Sequence, residues 1–293
     1  MQDNNVPTLN NVISTNQARA GKIGRLLLQL GKISPEDTDK ILRIQQEQRI
    51  LFGDAAIKLG LITESDISQA LALQFNYPYL QEGQGKYSAE LVAAYQPFSQ
   101  KVESLRALRS QLMMRWFNEN NKSLAIVSAN ADEGVSYLSA NLAVMFSQLG
   151  VRTLLIDANM RDPRQHEIFN LHESRGLSDI IAGRAGLDVI CPVEYFDSLS
   201  VLGAGTLPPN PQELLNRQSF SFFMNQASAQ YDVIIVDTAP ASTTADAQVT
   251  VSRCDGALLI SRLNQTRMSD LKNIRDQLTS SGVPIVGAVV SDY

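Results

Sequence analysis

The chain contains 293 residues, of which 44% are hydrophobic, and this length and composition favour two domains over one. The formal net charge of −5 argues against a nucleic-acid-binding surface as the main function, so no nucleic-acid partner is expected. Cys191 and Cys254 lie far apart without a CxxC or Cys/His grouping. We therefore predict neither a zinc site nor a disulfide framework, and we expect a cytoplasmic protein.

The first residues, 1–20, are polar, and we predict that they are disordered. They have neither the basic start nor the apolar run of a signal peptide. No stretch of the sequence approaches the roughly 18 apolar residues that a membrane span requires. We therefore expect contact with a membrane only through a partner.

An internal repeat occupies the predicted helical domain, residues 21–80. The segment KIGRLLLQLGKISPEDTDKILRIQ, which starts at Lys22, is echoed by LFGDAAIKLGLITESDISQALALQ, which starts at Leu51. In each copy a hydroxyl residue, Ser34 or Thr63, precedes a helical pattern, and a nearby aspartate is placed to return the capping hydrogen bond. Each copy therefore predicts a helix, a turn and a second helix.

The repeat has two interpretations. Apolar residues at helical spacing predict two small helix pairs packed on each other, with a purely structural role. Residues 21–80 also resemble the N-terminal domain of type II secretion and pilus-assembly ATPases, whose tandem R-L-G-x-x-L and G-L-I motifs hold cyclic di-GMP in some members. That resemblance implies cyclic di-GMP as a ligand, although Lys22 and Leu51 stand where the motif has arginine.

Residues 81–98 are polar and contain glycine, with a proline near their end, and are predicted to form a linker. In residues 99–293, short apolar runs such as LAIVS, RTLLIDA, YDVIIVDTA and GALLISR alternate with helical patterns. This alternation predicts an α/β fold of the P-loop NTPase type, with a mostly parallel sheet flanked by helices. Ligands of such sheets sit beyond the carboxyl ends of the strands.

The segment that follows the first apolar run has the position of a phosphate-binding loop. SANADEGVSY stands where a G-x-x-x-x-G-K-[ST] loop would, between a strand and an amphipathic helix. Such a loop wraps backbone N–H groups around phosphates at a helix N-terminus. The lysine position holds valine, whereas a glycine and a magnesium-binding serine are retained. The predicted nucleotide-binding residues of this loop are Glu133, Gly134, Val135, Ser136 and Tyr137.

Two further strand ends carry acidic residues. Asp157, Asn159 and Arg161 follow the second apolar run, and Asp237 ends the run VIIVD in the form of a Walker B acid. Acids in these places coordinate magnesium directly or through water. We therefore predict that Ser136, Asp157 and Asp237 bind the metal.

Together these motifs resemble those of bacterial tyrosine kinases, and most closely the chain-length-determinant kinases of exopolysaccharide operons, called the EpsG type. That family has a loop G-E-G-[KR]-S, a motif D-x-D-x-R and a Walker B motif that ends D-x-P-P. This chain has EGVS from Glu133, DANMR from Asp157 and DTAP from Asp237. The segment GTLPPNPQELL from Gly205 also matches the family pattern.

The resemblance implies ATP and Mg²⁺ as cofactors, with Arg161 among the nucleotide contacts. It implies catalytic roles for Asp157, Asn159 and Asp237, and a phosphoacceptor role for Tyr293. It further implies a membrane polysaccharide co-polymerase as partner and a location peripheral to the inner membrane. A homo-oligomer is implied by the family's E-x-x-R-x-x-R motif, which this chain carries as Glu103, Arg106 and Arg109, predicted to lie on one face of a helix.

Several positions depart from the family pattern. Val135 removes a charge from the loop, and the loss of one such transition-state donor typically costs about 3 to 4 kcal/mol. Asn159 replaces an aspartate, and Ser291 stands where the family has an adenine-contacting asparagine. Arg152 and Arg161 are candidates to supply the missing charge. Three functions stay open: an active tyrosine kinase, a pseudokinase scaffold in the same assembly, and a MinD- or ParA-like positioning ATPase.

Overall fold

The computed structural model describes residues 21–74, 79–80, 84–242 and 244–292. The predictions for residues 1–20 and for Tyr293 lie outside these described residues. The chain divides into two compact units, residues 1–78 and 79–293. Among the described residues, every helix is too short or too polar to cross a lipid bilayer.

The first unit shows the internal repeat as two equivalent helix pairs. Both predicted capping boxes are present: the Ser34 hydroxyl accepts from Asp37 N at 3.1 Å, and the Thr63 hydroxyl accepts from Asp66 N at 3.3 Å. Each aspartate in turn accepts the N–H of its hydroxyl residue. The described helices are α1 (Gly21–Gln29), α2 (Pro35–Gln48), α3 (Phe52–Lys58) and α4 (Glu64–Gln74).

The two copies of the repeat share one apolar core. Helix α1 packs against α4 and α2 packs against α3, so each helix pairs with a helix of the other copy. Gly53 permits a close approach inside the second copy, because a Cβ at this position would lie 2.6 Å from Ile67 Cδ1. The fully buried side chains of this core include Leu27, Ile41, Ala55, Ala56 and Ala70.

The second unit is a sheet covered on both faces by helices, which confirms the predicted fold class. Within the described residues, seven strands form one sheet in the order β3-β4-β2-β5-β1-β6-β7. Every neighbouring pair is parallel except β3 and β4. The strands are β1 (Ser123–Ser128), β2 (Thr153–Asp157), β3 (Cys191–Pro192), β4 (Leu199–Leu202), β5 (Val233–Asp237), β6 (Gly256–Arg262) and β7 (Ile285–Ser291).

Alternate side chains of the buried strands enter two apolar layers. In β1, Leu124 and Ile126 face one layer, whereas Ala125 and Val127 face the other. The helices of the second unit are α5 (Val92–Tyr95), α6 (Gln100–Arg115), α7 (Val135–Ser147), α8 (Gln165–Ile168), α9 (Leu177–Ile181), α10 (Pro211–Leu215), α11 (Gln218–Gln230), α12 (Asp246–Val251) and α13 (Met268–Ser280). Helices α6 and α7 belong to the first layer, and α11, α12 and α13 to the second.

The described part of the predicted linker, residues 84–98, belongs to the second unit and packs into its core. Leu91, Ala93 and Ala94 are fully buried. Asn141 of α7 holds this segment, because its Oδ1 accepts from Ala93 N at 2.9 Å and its Nδ2 donates to the Glu90 carbonyl at 2.9 Å. The linker prediction was wrong for these residues. The segment is polar on average, but it contains a short apolar run that is buried in the core.

We predict that Asn141→Ala lowers the free energy of unfolding of the second unit by about 1–3 kcal/mol, because it leaves the buried Ala93 N–H without its acceptor. Trp116 is the single tryptophan of the chain and lies in this unit, so its fluorescence during urea unfolding reports the change. Asn216→Ala, which removes an exposed amide, is the matched control and should change stability by less than about 0.5 kcal/mol. Equal midpoints for the two variants would contradict the prediction.

Candidate functional site

The loop between β1 and α7 is held in shape by Glu133. This buried carboxylate accepts from Ala129 N at 2.9 Å and from Asn130 N at 3.1 Å. It also accepts from the Thr266 hydroxyl at 2.6 Å, which ties the loop to the segment after β6. Glu133 was predicted to bind nucleotide, but the structure turns its carboxylate towards its own loop. It therefore positions the loop.

Helix α7 begins at the loop in the geometry of an anion site. Gly134 is its N-cap with φ of 89°, and the first intrahelical bond runs from Leu138 N to Gly134 O. The N–H groups of the first helical turn, which include those of Ser136 and Tyr137, therefore point beyond the helix end. The Val135 side chain is only 8% exposed and packs in the apolar layer. The position of the usual lysine thus contributes no charge and faces largely inwards.

Two aspartates meet at the carboxyl ends of neighbouring strands. Asp157 and Asp237 are register partners in β2 and β5, and both are fully buried. The Asp157 carboxylate accepts three backbone N–H groups, from Asn159 at 3.1 Å, Arg164 at 3.0 Å and Gln165 at 2.9 Å. Its oxygens thereby fix the turn after β2 and the start of α8, which differs from the metal-binding and catalytic role predicted for it.

Gln165 connects the acidic pair to the loop, and it was not predicted from the sequence. Its Nε2 donates to Asp237 Oδ2 at 2.7 Å and to the Ser136 carbonyl at 3.1 Å. The Ser136 hydroxyl also hydrogen-bonds Asp237. Two buried acceptors, Asp237 Oδ1 and Gln165 Oε1, have no partner among the described residues. Gln165 lies only four residues after the end of the D-x-D-x-R segment at Arg161, but a glutamine in that place matches no motif that would mark it.

Burial perturbs both carboxyl groups of the pair. Burial, and next the charge of Asp237, raise the pKa of Asp157 well above its usual value. Burial raises the pKa of Asp237 to about 6, against the lowering effect of its hydrogen bonds from Gln165 and Ser136 and of the charge of Arg164. The pair therefore retains a proton at a pH where surface carboxyls have lost theirs.

Asn159 and Arg161 are engaged within the protein. The Asn159 amide donates to the Asp162 carbonyl at 2.8 Å and accepts from Asp162 N at 3.1 Å, so it folds its own turn. The Arg161 guanidinium donates through Nε to Asp246 at 2.6 Å. The catalytic role predicted for Asn159 has no support in this geometry, because a neutral amide bonded to its own turn does not accept a proton. Both residues nevertheless line the cleft beside the loop.

The cleft beside the loop has a volume of about 360 Å³. Its lining includes loop residues 130–134, together with Tyr137, Arg161, Arg164 and Pro240. The oxygen donors that would hold a magnesium ion here are the Ser136 hydroxyl and the carboxylate of Asp237, whose Oδ1 is buried without a partner among the described residues. No cluster of three or more His, Cys, Asp or Glu side chains suited to a metal occurs in the described ranges. One hydroxyl and one carboxylate suit Mg²⁺, which keeps several waters and takes one or two carboxylates plus substrate phosphates.

Helix α6 presents its predicted oligomerisation residues on different sides. Glu103 is exposed and pairs with Arg106, which also donates to the Pro97 carbonyl at 2.9 Å. Arg109 is buried, with Nη1 donating to the Met145 carbonyl of α7 at 3.1 Å. Three-residue steps turn about 60° each around a helix, so Arg109 lies about 120° from Glu103. The prediction that these residues share one face of the helix was wrong for Arg109, which lies on the buried stripe with Val102, Leu105 and Leu112.

The fold and this site define an α/β domain of the P-loop NTPase type. CapB of Staphylococcus aureus is 36% identical over 195 residues, which cover 67% of this chain and 86% of CapB. The tyrosine-protein kinase YwqD of Bacillus subtilis is 32% identical over 201 residues, covering 69% of this chain and 85% of YwqD. The chain belongs to the bacterial tyrosine kinase family. It spans only 28% of the longer tyrosine-protein kinase Etk of Escherichia coli, to which it is 31% identical over 202 residues.

Solved structures agree with this assignment. The kinase domain of Escherichia coli Etk matches with a TM-score of 0.66 at 32% identity, over 69% of this chain and 79% of that one. The chimeric protein CapA2B2 matches with a TM-score of 0.65 at 30% identity, over 76% of this chain and 97% of that one. The septum-site-determining protein MinD of Pyrococcus horikoshii, with a TM-score of 0.51 at 21% identity over 58% of this chain and 70% of that one, shares the fold alone. No protein-family model matches the chain.

We predict that the acidic pair makes the magnesium-free protein less stable as pH rises from about 4 to 6. Because the pKa of Asp237 is raised to about 6, the folded state binds more protons than the unfolded state in this window. This decrease in the free energy of unfolding amounts to up to about 3 kcal/mol for a pKa shift of this size, and Asp237→Asn should make it smaller. The measurement is urea unfolding with a chelator at successive pH values.

The control for this pH series is Asp232→Asn at the other end of the sheet. A hydrogen bond from Arg152 lowers the pKa of Asp232, so its contribution to stability has the opposite sign and disappears as pH falls. Asp232→Asn should therefore leave the decline between pH 4 and 6 in place or make it slightly steeper. Identical pH profiles for Asp237→Asn and the unaltered protein would refute the assignment of the decline to the acidic pair.

Proposed function

We propose that this protein binds ATP with magnesium at the α7 loop and acts as a tyrosine-kinase component that controls exopolysaccharide chain length and export. The observation that carries the proposal is the connected set Ser136, Gln165 and Asp237 at the start of α7, which leaves one buried carboxylate oxygen of Asp237 unpartnered among the described residues. Such an oxygen is costly to bury without a ligand. A cation carried by a nucleotide would satisfy it.

The protein's own groups would divide the work of holding the nucleotide. The first-turn N–H groups of α7 bind phosphate oxygens, as helix N-termini do. The Ser136 hydroxyl and Asp237 hold the magnesium ion, which when bound neutralises phosphate charge. Asp157 keeps the turn after β2 and the start of α8 in place through its three N–H bonds. Glu133 keeps the loop open by bonding its own backbone.

A second cleft, of about 660 Å³, adjoins the first at Tyr137 and suits the nucleobase. Leu105, Leu138 and Val289 give it apolar walls. The hydroxyl of Ser291 is buried at its edge and has no hydrogen-bond partner among the described residues. This hydroxyl would contact the edge of the base in place of the asparagine expected from the family resemblance, and the shorter side chain should select bases less strictly.

A pseudokinase scaffold is the second candidate, and the burial of Val135 favours it. Phosphoryl transfer relies on cations around the transferred group, and the loop supplies none. In this reading the domain keeps its fold and its oligomer, and nucleotide occupancy sets its state without turnover. The positioning-ATPase alternative has only the shared fold with MinD in its support.

We further propose that the protein works as a homo-oligomer with a membrane co-polymerase, through which it is held at the inner membrane. The exposed Glu103 of α6, together with its partly exposed partner Arg106, would supply polar groups for subunit contacts. The phosphoacceptor role of Tyr293 is likewise a proposal that follows from the family. Cyclic di-GMP at the first unit gains no support from the comparisons, and the shared helix core there is sufficient reason for the repeat.

We predict that titration calorimetry detects ATP binding in the presence of Mg²⁺ and that Val135→Lys strengthens it by about tenfold or more, since a charged hydrogen bond contributes roughly 1.5–3 kcal/mol. The same samples should be probed with an anti-phosphotyrosine antibody. Phosphotyrosine in the unaltered protein supports the kinase, and binding without phosphotyrosine supports the scaffold. Absence of binding in both proteins would sink the proposed nucleotide site.

Val135→Lys needs a folding control because position 135 is largely buried. The four-carbon stem of lysine occupies apolar surroundings while its ammonium reaches the cleft, so modest destabilisation is expected. Val135→Met, which is unbranched and uncharged, is the matched variant. It should leave nucleotide affinity unchanged, so that any gain in Val135→Lys is assigned to the charge.

A further inference from the structure

Two arginines line the cleft beside Val135 within the described part of the chain, Arg161 and Arg164. The loop contributes no cation of its own, because the lysine position is apolar and 8% exposed. Each arginine bonds a carboxylate, and the two carboxylates differ in burial. That difference decides which guanidinium is able to exchange its carboxylate for a phosphate.

Arg161 is committed to a buried partner. Its Nε and Nη2 donate to Asp246, whose side chain is 2% exposed. Withdrawing the guanidinium would leave this carboxylate buried and uncompensated, which is strongly unfavourable. Arg161 therefore stays with Asp246 and serves to hold α12 against the turn after β2.

Arg164 has a partner that it can leave. Its Nη2 donates to Glu90 at 2.8 Å, and the two side chains are 42% and 39% exposed. Exposed ion pairs contribute little to stability, so exchanging Glu90 for a phosphate costs little. The backbone of Arg164 is nevertheless fixed, because its N–H donates to the buried Asp157 at 3.0 Å. The backbone of Arg164 is thus fixed beside the acidic pair, while its guanidinium is able to change partner.

The other arginines near the loop or considered from the sequence are placed differently. Arg152 forms a two-point pair with Asp232 just before β2 begins, at the end of the sheet opposite the loop. Arg262 donates to the Asp132 carbonyl at 3.2 Å and does not line the cleft. The charge of Arg164, by contrast, acts on Asp237, where it lowers the pKa.

We propose that Arg164 is the phosphate-binding cation of this site and replaces the lysine that Val135 lacks. The inference rests on the proposed nucleotide site and deepens it. On nucleotide binding the guanidinium leaves Glu90 and donates to the terminal phosphates, as a planar fork suited to phosphate oxygens. Glu90 then acts as a competitor that occupies the cation while the cleft holds no phosphate.

The test is equilibrium binding of ATP, ADP and AMP with Mg²⁺ to the full chain, measured by calorimetry. Arg164→Gln should weaken ATP binding by about tenfold or more, with a smaller loss for ADP and least for AMP. Glu90→Gln should tighten ATP binding severalfold, since the competitor is gone. Adding Val135→Lys to Arg164→Gln should restore ATP affinity. Arg152→Gln, which removes a guanidinium from a similarly exposed pair, is the matched control and should bind all three nucleotides like the unaltered chain.

Three results would overturn the proposal. The first is unchanged ATP affinity in Arg164→Gln. The second is an equal loss for ATP, ADP and AMP, which would mean that the side chain supports the fold of the cleft and does not touch the terminal phosphates. The third is ATP binding by Val135→Lys alone with none by the unaltered chain, which would keep the nucleotide site but remove Arg164 as a sufficient cation.

Folding of each variant is checked by circular dichroism and by thermal unfolding. If Arg164→Gln does not fold, Arg164→Lys and Glu90→Gln carry the test, because the first retains a charge and the second leaves Arg164 in place. Arg164→Lys should bind ATP more weakly than the unaltered chain through loss of the fork, and Glu90→Gln more tightly. The absence of both effects would overturn the proposal. Failure of every variant, Val135→Lys included, to bind ATP would overturn the nucleotide site as well.

Discussion

The burial of two aspartates side by side between neighbouring parallel strands is the constraint on which the site depends. Asp157 and Asp237 end β2 and β5 in register, in a place where water does not reach them. A buried carboxylate must find donors, and those donors organise everything around it. Asp157 takes three backbone N–H groups and thereby fixes the turn after β2 and the start of α8. Gln165, at the start of α8, then connects this turn to Asp237 and to the Ser136 carbonyl through its side-chain amide.

The fold of the second unit was predictable because each of its long strands is a continuous apolar run bounded by a helix. Only β3 escaped, since two residues, Cys191 and Pro192, leave no period to detect. The capping boxes of the first unit were equally readable, because a hydroxyl residue and an aspartate three positions apart have one common use. Contacts of this kind join residues that are close in the sequence, so the sequence alone predicts them.

The site was harder to predict, because its parts are defined by contacts between distant residues. Glu133 and Asn159, predicted to bind nucleotide and to take part in catalysis, both line the cleft, but their hydrogen bonds turn them towards their own loops. Arg109 was assigned from its three-residue spacing and the family motif, neither of which shows that it packs against α7. Residues 84–98 appeared as a linker because composition does not reveal that Asn141 supplies acceptors and donors for their backbone.

In the first unit each helix pairs with a helix of the other copy of the repeat, so one copy of the repeat in the sequence is not one folding unit. Since α1 pairs with α4 and α2 with α3, a single copy of the repeat would expose a face whose natural complement is another such copy. Two separate copies would therefore assemble through the same contacts that here lie within one chain. Joining them in tandem turns a concentration-dependent association into an intramolecular one. The tandem repeat therefore corresponds to a dimer whose two copies are joined in one chain, and neither copy is expected to be stable alone.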